Sequence, residues 1–364
     1  MEIQQYIEKK REIQNAFLSL IENNDDMNFD DLINIFEQQE ITKNFDELKE
    51  FLNMVLTISN HHHRTSIFFD IIKSIILYFK EDLQTNLSNI EIFNFFKRNK
   101  IILLFLIEEQ IIDFDESIFN CINEMNYTKR KKIIQFFYPE LKQFIDKNMI
   151  KTDEKEVIEY DTDIEIIRKT GENESFICTL IRNDSVEEFI SYVNRSNISL
   201  HSTIIKPSIF ETNSFLKNKE ITMIEYTAFF GSIQIFQYLL FNNVDLEPSL
   251  WSFVIHSQNA ELIHILEEYH LEIPENCFFE AVKCHHNDIA KYILDQQLIV
   301  FKDLKKFDET IISISFQFYN YNFMPVDFNQ PDILYFLGSN NYSTLIRFFM
   351  TSKEKNIEKI IIVK

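Results

Sequence analysis

The chain of 364 residues has very few of the residues that make tight turns, with three glycines and six prolines. A β-sandwich or β-barrel of this length needs many turns that contain Gly or Pro, so their scarcity favours helices joined by short polar connections. It also leaves little material for glycine-rich catalytic loops, and no Gly-x-Ser-x-Gly, Walker, Rossmann or kinase signature is present. We therefore expect a protein that is not an enzyme and that uses no cofactor.

Cysteines and long apolar runs are scarce as well. The four cysteines are widely separated, so they form no disulfide framework. The longest strongly apolar run, residues 101–107, is far shorter than the ~20 residues that span a bilayer. The N-terminal segment is charged and amphipathic, unlike a secretory signal. These features predict a cytoplasmic protein with no membrane partner.

Basic residues are outnumbered, since 36 Lys and Arg face 57 Asp and Glu, which gives a formal net charge of −21. Non-specific nucleic-acid binding requires basic side chains that neutralise phosphates, so we expect no nucleic-acid partner. A basic protein partner is compatible with this charge. The basic tetrad from Lys129 to Lys132 leaves nuclear import open as the weaker alternative to a solvated helix face.

A helical pattern repeats between residues 222 and 299. Apolar pairs mark three successive segments: Ile235 and Leu239, Leu262 and Leu266, and Ile289 and Ile293. The spacing is 27 residues in both intervals (262 − 235 and 289 − 262). A repeat of two short helices cannot bury its apolar face alone and must stack on its neighbours. The spacing therefore predicts an all-α solenoid of helix pairs.

Composition divides the chain into three parts. Residues 1–150 consist of amphipathic segments, which predict an α-helical N-terminal domain. Residues 151–173 begin with an acidic stretch, interpreted as a linker or hinge. Residues 174–364 carry the repeats, with a long irregular arm at 195–220 and a helix near the C-terminus that we expect to cap the array.

The segment 222–245 resembles an ankyrin repeat, whose consensus begins T-P-L-H-x-A-A-x-x-G. The residues in register are Thr222, Ile224, Ala228, Gly231, Ile235, Leu239, Leu240, Val244 and Asp245. Met223, Glu225 and Asn243 depart from the consensus, and the period of 27 is shorter than the ankyrin period of about 33. The segments KPSIFETNSFL and IEYTAFFGSIQIFQYL follow an N-terminal half rich in Ile and Phe. In these features the chain is also similar to a large family of protist ankyrin-repeat proteins with a domain of unknown function. The resemblance implies a degenerate ankyrin array with short loops.

Ankyrin arrays bind their partners through inner-helix positions and loop tips. Carried over to this sequence, the inner-helix positions are Tyr226, Phe230, Phe253, Ser257, Glu280, Cys284 and Phe336. The resemblance implies a non-catalytic protein-interaction scaffold that binds an unknown partner through the groove formed by these inner helices. Aromatic residues are common interface anchors. Packing inside the fold is an equal alternative for the aromatic members. A substrate adaptor for another enzyme, such as a ubiquitin ligase, is the alternative function.

Two groups of residues have the composition of metal ligands. Three consecutive histidines, His61 to His63, cannot all face one ion from a helix, so we expect them in an exposed loop. Cys277, Cys284, His285 and His286 include the residue types that bind zinc, but no second pair of ligands completes four in the predicted register. We expect no metal. A metalloprotein or enzyme that uses these four residues is the weakest alternative.

Overall fold

The computed structural model describes residues 2–23, 27–147, 149–151, 164–296, 304–324, 342 and 345–346. Their regular structure is almost entirely helical, so the all-α prediction is confirmed. The first helices are α1 (Glu2–Ile21), α2 (Phe29–Gln38), α3 (Phe45–His61), α4 (Phe68–Tyr78), α5 (Lys80–Asn86), α6 (Asn89–Phe96), α7 (Lys100–Glu108), α8 (Glu116–Glu124), α9 (Tyr127–Phe136) and α10 (Tyr138–Asp146). A 3-10 turn at Ile41–Lys43 precedes α3.

The second set of helices begins after the acidic stretch. It comprises α11 (Ile164–Thr170), α12 (Phe176–Arg182), α13 (Val186–Arg195), α14 (Met223–Phe230), α15 (Ile233–Phe241), α16 (Leu250–Ser257), α17 (Ala260–Glu268), α18 (Asn276–Lys283), α19 (Asn287–Asp295) and α20 (Leu304–Gln317). Two short strands, β1 (Ile204–Ile205) and β2 (Ile221–Thr222), pair antiparallel. None of the described helices combines the length and the apolar composition needed to cross a membrane.

Most helices end without glycine. Ten non-glycine residues in the described part of the chain adopt the left-handed backbone conformation, with φ between 47° and 63°. At such ends an amide beyond the helix reaches back into the last turn: the Val244 N–H donates to the Leu239 carbonyl and the Leu271 N–H to the Leu266 carbonyl, both at 3.1 Å. This bond satisfies a carbonyl that the helix leaves unpaired. Because residues other than glycine adopt this conformation at these ends, few glycines suffice.

The helix-pair repeat predicted between residues 222 and 299 is present in its described part, up to residue 296. Each pair contains a left-handed residue between its two helices: Gly231, Gln258 and His285, at intervals of 27 residues (258 − 231 and 285 − 258). The pairs are α14 with α15, α16 with α17, and α18 with α19. Leu266 and its counterparts in the other two pairs are buried. The ankyrin assignment itself stays a prediction.

One compact unit comprises residues 73–245. Within it α12 packs against α13 and α14, and α13 packs against α15, so two helix pairs stack on each other. The irregular arm predicted at 195–220 belongs to this unit and is packed against the rest of it. Its Phe210 and Leu216 side chains are buried, and the Thr212 N–H donates to the Gly171 carbonyl at 3.0 Å.

The other compact unit combines residues 1–72 with residues 246–364. Within it α18 packs against α16, α19 and α20. The division predicted from sequence, at 150 and 173, groups these residues differently and stays a prediction. Most of the acidic stretch, residues 152–163, and the predicted C-terminal capping helix lie outside the described residues.

Polar side chains of α1 and α3 hold the turn that follows α20. The Gln14 amide donates to the Tyr319 carbonyl at 3.0 Å and accepts from the Tyr321 N–H at 2.9 Å. Glu50 is buried and accepts from the hydroxyls of Tyr6 and Tyr321, both at 2.7 Å. Burial raises the pKa of Glu50, and these bonds compensate part of its desolvation.

Candidate functional site

The predicted partner-binding residues are mostly buried. Tyr226 is 1% exposed and Phe253 is 4% exposed, and Ser257 and Cys284 are buried too. Phe230 and Glu280 are partly exposed, and Phe336 lies outside the described residues. The expectation that Tyr226 and Phe253 project into an open groove is therefore wrong.

Tyr226 illustrates why an inner-helix position becomes interior. Its hydroxyl accepts from the Arg182 guanidinium at 2.8 Å, and that guanidinium also pairs with Glu172 at 2.7 Å. The α12 and α14 helices pack together here, so the ring fills the space between them. Burial is the main cause that raises the pKa of Tyr226, which keeps its hydroxyl neutral. The Tyr226 side chain therefore packs inside the fold, which was the alternative given for the aromatic inner-helix residues.

Exposed aromatic rings lie on other positions of the same two helix pairs. Phe241, the last residue of α15, is 87% exposed, and Phe176, the first residue of α12, is 52% exposed. Phe176 contacts the partly exposed Tyr192 of α13 edge-on, with ring centroids 5.0 Å apart. Tyr238 lies one helical turn before Phe241 and is also partly exposed. We call these four residues the outer aromatic strip.

A second feature, within the unit formed by residues 1–72 and 246–364, is a buried cluster of metal-ligating side chains. Two triads have their ligand atoms within 4.8 Å of one another: His256, Cys284 and His286, and Glu22, His62 and His286. The two triads share His286. The sequence had offered Cys284 and His286 as candidate zinc ligands and His62 within the run of three histidines, whereas Glu22 and His256 were missed.

His62 belongs to this cluster because it ends α3. It is buried, its Nδ1–H donates to the Cys284 carbonyl at 2.6 Å, and its Nε2 lies 3.3 Å from Glu22 Oε1. The expectation that the three histidines lie in an exposed loop is wrong, because the helix continues through His61 and turns His62 inward. Burial raises the pKa of Glu22, but the hydrogen bond from His62 and its charge outweigh it and lower that pKa.

Cys284 and His256 meet where α18 packs against α16. The Cys284 Sγ lies 3.5 Å from both ring nitrogens of His256. The His256 Nε2 lies 3.2 Å from Glu280 Oε1, at hydrogen-bond distance. Burial would raise the pKa of Glu280, but the hydrogen bond and charge of His256, with Lys283, lower it to about 2. Glu280, predicted as a partner contact, thus orients a buried histidine.

His286 is 3% exposed and has an unsatisfied nitrogen. Its Nδ1 is hydrogen-bonded to the Gln258 side-chain amide, whereas its Nε2 has no hydrogen-bond partner among the described residues. Burial, with the charges of the surrounding histidines, lowers the pKa of His286 well below its usual range. A buried polar atom without a partner is costly and is a common mark of a ligand position.

The cluster borders a cleft of about 470 Å³ in the same unit. Glu22, Gln258 and His286 line this cleft, and its other lining residues are mostly polar and belong mainly to α1 and α19. Solvent in the cleft can therefore reach the edge of an otherwise buried site.

Two of the four residues in the predicted cysteine–histidine group lie outside the cluster. The Cys277 Sγ is 3.6 Å from the Ser252 hydroxyl, and burial raises the pKa of this thiol to about 12. His285 is buried but belongs to neither triad. The missed ligand His256 lies 284 − 256 = 28 residues before Cys284, one repeat period plus one. Stacked repeats bring residues at that spacing together, so the repeat itself carried the signal.

Comparison with protein-family models, with curated proteins and with solved structures finds no match for this chain.

Proposed function

We propose that this chain is a non-catalytic scaffold that binds a protein partner through its helix-pair repeats. The observation that carries the proposal is the outer aromatic strip on two stacked helix pairs. Repeat stacks present continuous surfaces to partners, and rigid aromatic rings are the usual anchors of such interfaces. The contact surface is then the strip and not the predicted inner-helix groove, whose aromatic rings are largely buried.

We further propose that the repeats are of the ankyrin type. Thr222, the first residue of the ankyrin-like segment, forms a capping box: its hydroxyl accepts from the Glu225 N–H at 3.3 Å, and the Glu225 carboxylate accepts from the Thr222 N–H at 2.9 Å. Such a box fixes where α14 begins. It supports the register of the resemblance, as does the 27-residue interval between left-handed turns.

The strip combines large apolar area with acidic surroundings. Burial of the exposed Phe241 ring against a partner would contribute binding free energy of about 25 cal/mol for each Å² of apolar surface removed from water. Glu187 and Glu188 are exposed on the first turn of α13, in a chain with a formal net charge of −21. Complementary charge speeds association and excludes acidic competitors. We therefore infer a partner segment with apolar side chains flanked by Lys or Arg.

The double variant Tyr192→Ala/Phe241→Ala tests this function. Truncation of one interface anchor costs at least ~2 kcal/mol, or about 30-fold in affinity, so the double variant should lose more than about 30-fold in partner affinity. The circular dichroism should stay unchanged and the melting temperature should change little, because Phe241 is 87% exposed and Tyr192 is partly exposed. Quantitative affinity purification and titration of the recovered partner measure both effects.

Tyr269→Ala is the matched control, because Tyr269 is 58% exposed but lies outside the strip. The control variant should recover every partner of the unmodified chain. Partners retained in full by the double variant, or lost equally by the control, would contradict the proposed surface.

A further inference from the structure

We propose that His256, Cys284 and His286 bind a zinc ion, or a transition-metal ion of the same class, at the inner edge of the cleft. The three side chains come from α16, the end of α18 and the turn that precedes α19. The site is independent of the proposed partner surface, since it lies in the other compact unit.

The distances between the ligand atoms suit tetrahedral zinc. With Zn–S near 2.3 Å and Zn–N near 2.05 Å, a tetrahedral ion separates sulfur from nitrogen by about 3.5 Å and two nitrogens by about 3.3 Å. The Cys284 Sγ is 3.5 Å from the His256 nitrogens, and all three ligand atoms lie within 4.8 Å of one another. Closing the triad on an ion thus requires a contraction of at most about 1.5 Å (4.8 − 3.3) at the His286 corner.

Glu280 already contacts one nitrogen of His256, and a ring rotation has to complete the orientation of this ligand. Because Nε2 lies at hydrogen-bond distance from Glu280, Nδ1 is the nitrogen that would bind the ion. The sulfur is equidistant from both nitrogens, so the ring must rotate about its Cβ–Cγ bond to aim that lone pair, and this torsion is broad for histidine. A carboxylate behind a ligating imidazole is the usual second partner in zinc sites, where it raises the basicity of the ligand.

His286 contributes the nitrogen that lacks a partner. When Nε2 binds the ion, Nδ1 carries the proton and needs an acceptor. Gln258 supplies one if its amide rotates by half a turn, since the two ends of an amide have nearly the same shape. The same rotation turns the Gln258 NH₂ away from Glu22, which it contacts at 3.4 Å, and releases that carboxylate.

The cleft beside His286 offers room for a fourth ligand. Glu22 and His286 both line it, and a Glu22 carboxylate oxygen lies within 4.8 Å of a ring nitrogen of His286. The Cys284 carbonyl accepts from His62, which fixes the backbone beside the thiol. Thiolate and imidazole ligands select zinc-class ions over Mg²⁺ and Ca²⁺, which prefer oxygen.

The test is metal binding by the full chain, purified without an affinity tag, stripped with a chelator under reducing conditions and titrated with Zn²⁺ and with Co²⁺. We expect one ion per chain by elemental analysis. The cobalt form should show a thiolate-to-cobalt charge-transfer band, because Cys284 is a ligand. Cys284→Ser should remove this band and weaken Zn²⁺ binding by at least about tenfold.

Cys277→Ser is the matched control, since Cys277 is also a buried thiol of the same helix and belongs to neither triad. It should keep the band and the affinity. A wild-type chain that binds no stoichiometric ion, or whose cobalt form lacks the band, would overturn the proposal whether or not the variants fold. Loss of binding in Glu22→Gln with none in Cys284→Ser would place the ion in the other triad and overturn it as well.

Discussion

Gly171 is the residue at which a single added methyl group should do most harm. Its φ is 66°, and a Cβ built there would lie 2.0 Å from Ile101 Cδ1 and 2.9 Å from Thr212 Oγ1. The left-handed conformation costs an L residue about 1–2 kcal/mol, and overpacking a filled site costs about 1–3 kcal/mol. Alanine also lowers the conformational entropy of the unfolded chain, which stabilises the folded state by about 0.4–1 kcal/mol. Gly171→Ala should therefore lower the free energy of unfolding by about 1–5 kcal/mol, measured by urea denaturation.

Repeating Gly171→Ala in a chain that carries Ile101→Val separates the backbone strain of the left-handed conformation from the clash of the new methyl group with Ile101. Ile101→Val removes the Cδ1 atom nearest the new methyl group and by itself costs about 0.5–1.5 kcal/mol. We expect Gly171→Ala to cost less in this background by about 1 kcal/mol, because contacting sites couple by about 0.5–3 kcal/mol. An equal cost in both backgrounds would refute the argument that contact with Ile101 makes glycine necessary.

Four further outcomes follow from burial. Leu266→Ala should cost about 2–5 kcal/mol in denaturant unfolding, and a cost below ~1 kcal/mol would place Leu266 outside the core. Ala228→Leu should overpack a buried position and lower the free energy of unfolding by about 1–3 kcal/mol, so an unchanged melting temperature would show that the larger side chain fits. Phe253→Ala should destabilise the chain by about 3–5 kcal/mol, whereas a binding defect with intact stability would restore Phe253 to the interface. Burial, with nearby lysine charges, lowers the pKa of Lys100 from 10.5 to about 7. The unfolded chain then holds more protons than the folded chain between those values, so stability should rise with pH through this window, and Lys100→Met should flatten that slope.

The helix pairs could be predicted from sequence because their signals are local. Apolar residues at helical spacing, such as Leu262 and Leu266, identify a buried face without any knowledge of its neighbours. The 27-residue period then placed the helix pairs, and the left-handed turns at Gln258 and His285 follow the same interval. Only Gly231 among these turns carries the residue type that marks a helix end in sequence.

The site could not be predicted in the same way, because its parts are distant in sequence. Glu22 and His62 reach the cluster only through the packing of the N-terminal helices with residues 246–364. The inner-helix aromatic rings carried a second ambiguity. Tyrosine is a residue type common among interface anchors, and only the structure shows that Tyr226 is buried, at 1% exposed.

Site-specific photo-crosslinking shows directly whether the outer aromatic strip contacts the partner. A photoreactive phenylalanine analogue at position 241 keeps an aromatic ring at a place where Phe241 is 87% exposed, so the fold should be unaffected. We expect covalent adducts with partner proteins at position 241 and none of these adducts when the analogue replaces Tyr269. Absence of adducts at 241, or the same adducts at both positions, would contradict this contact.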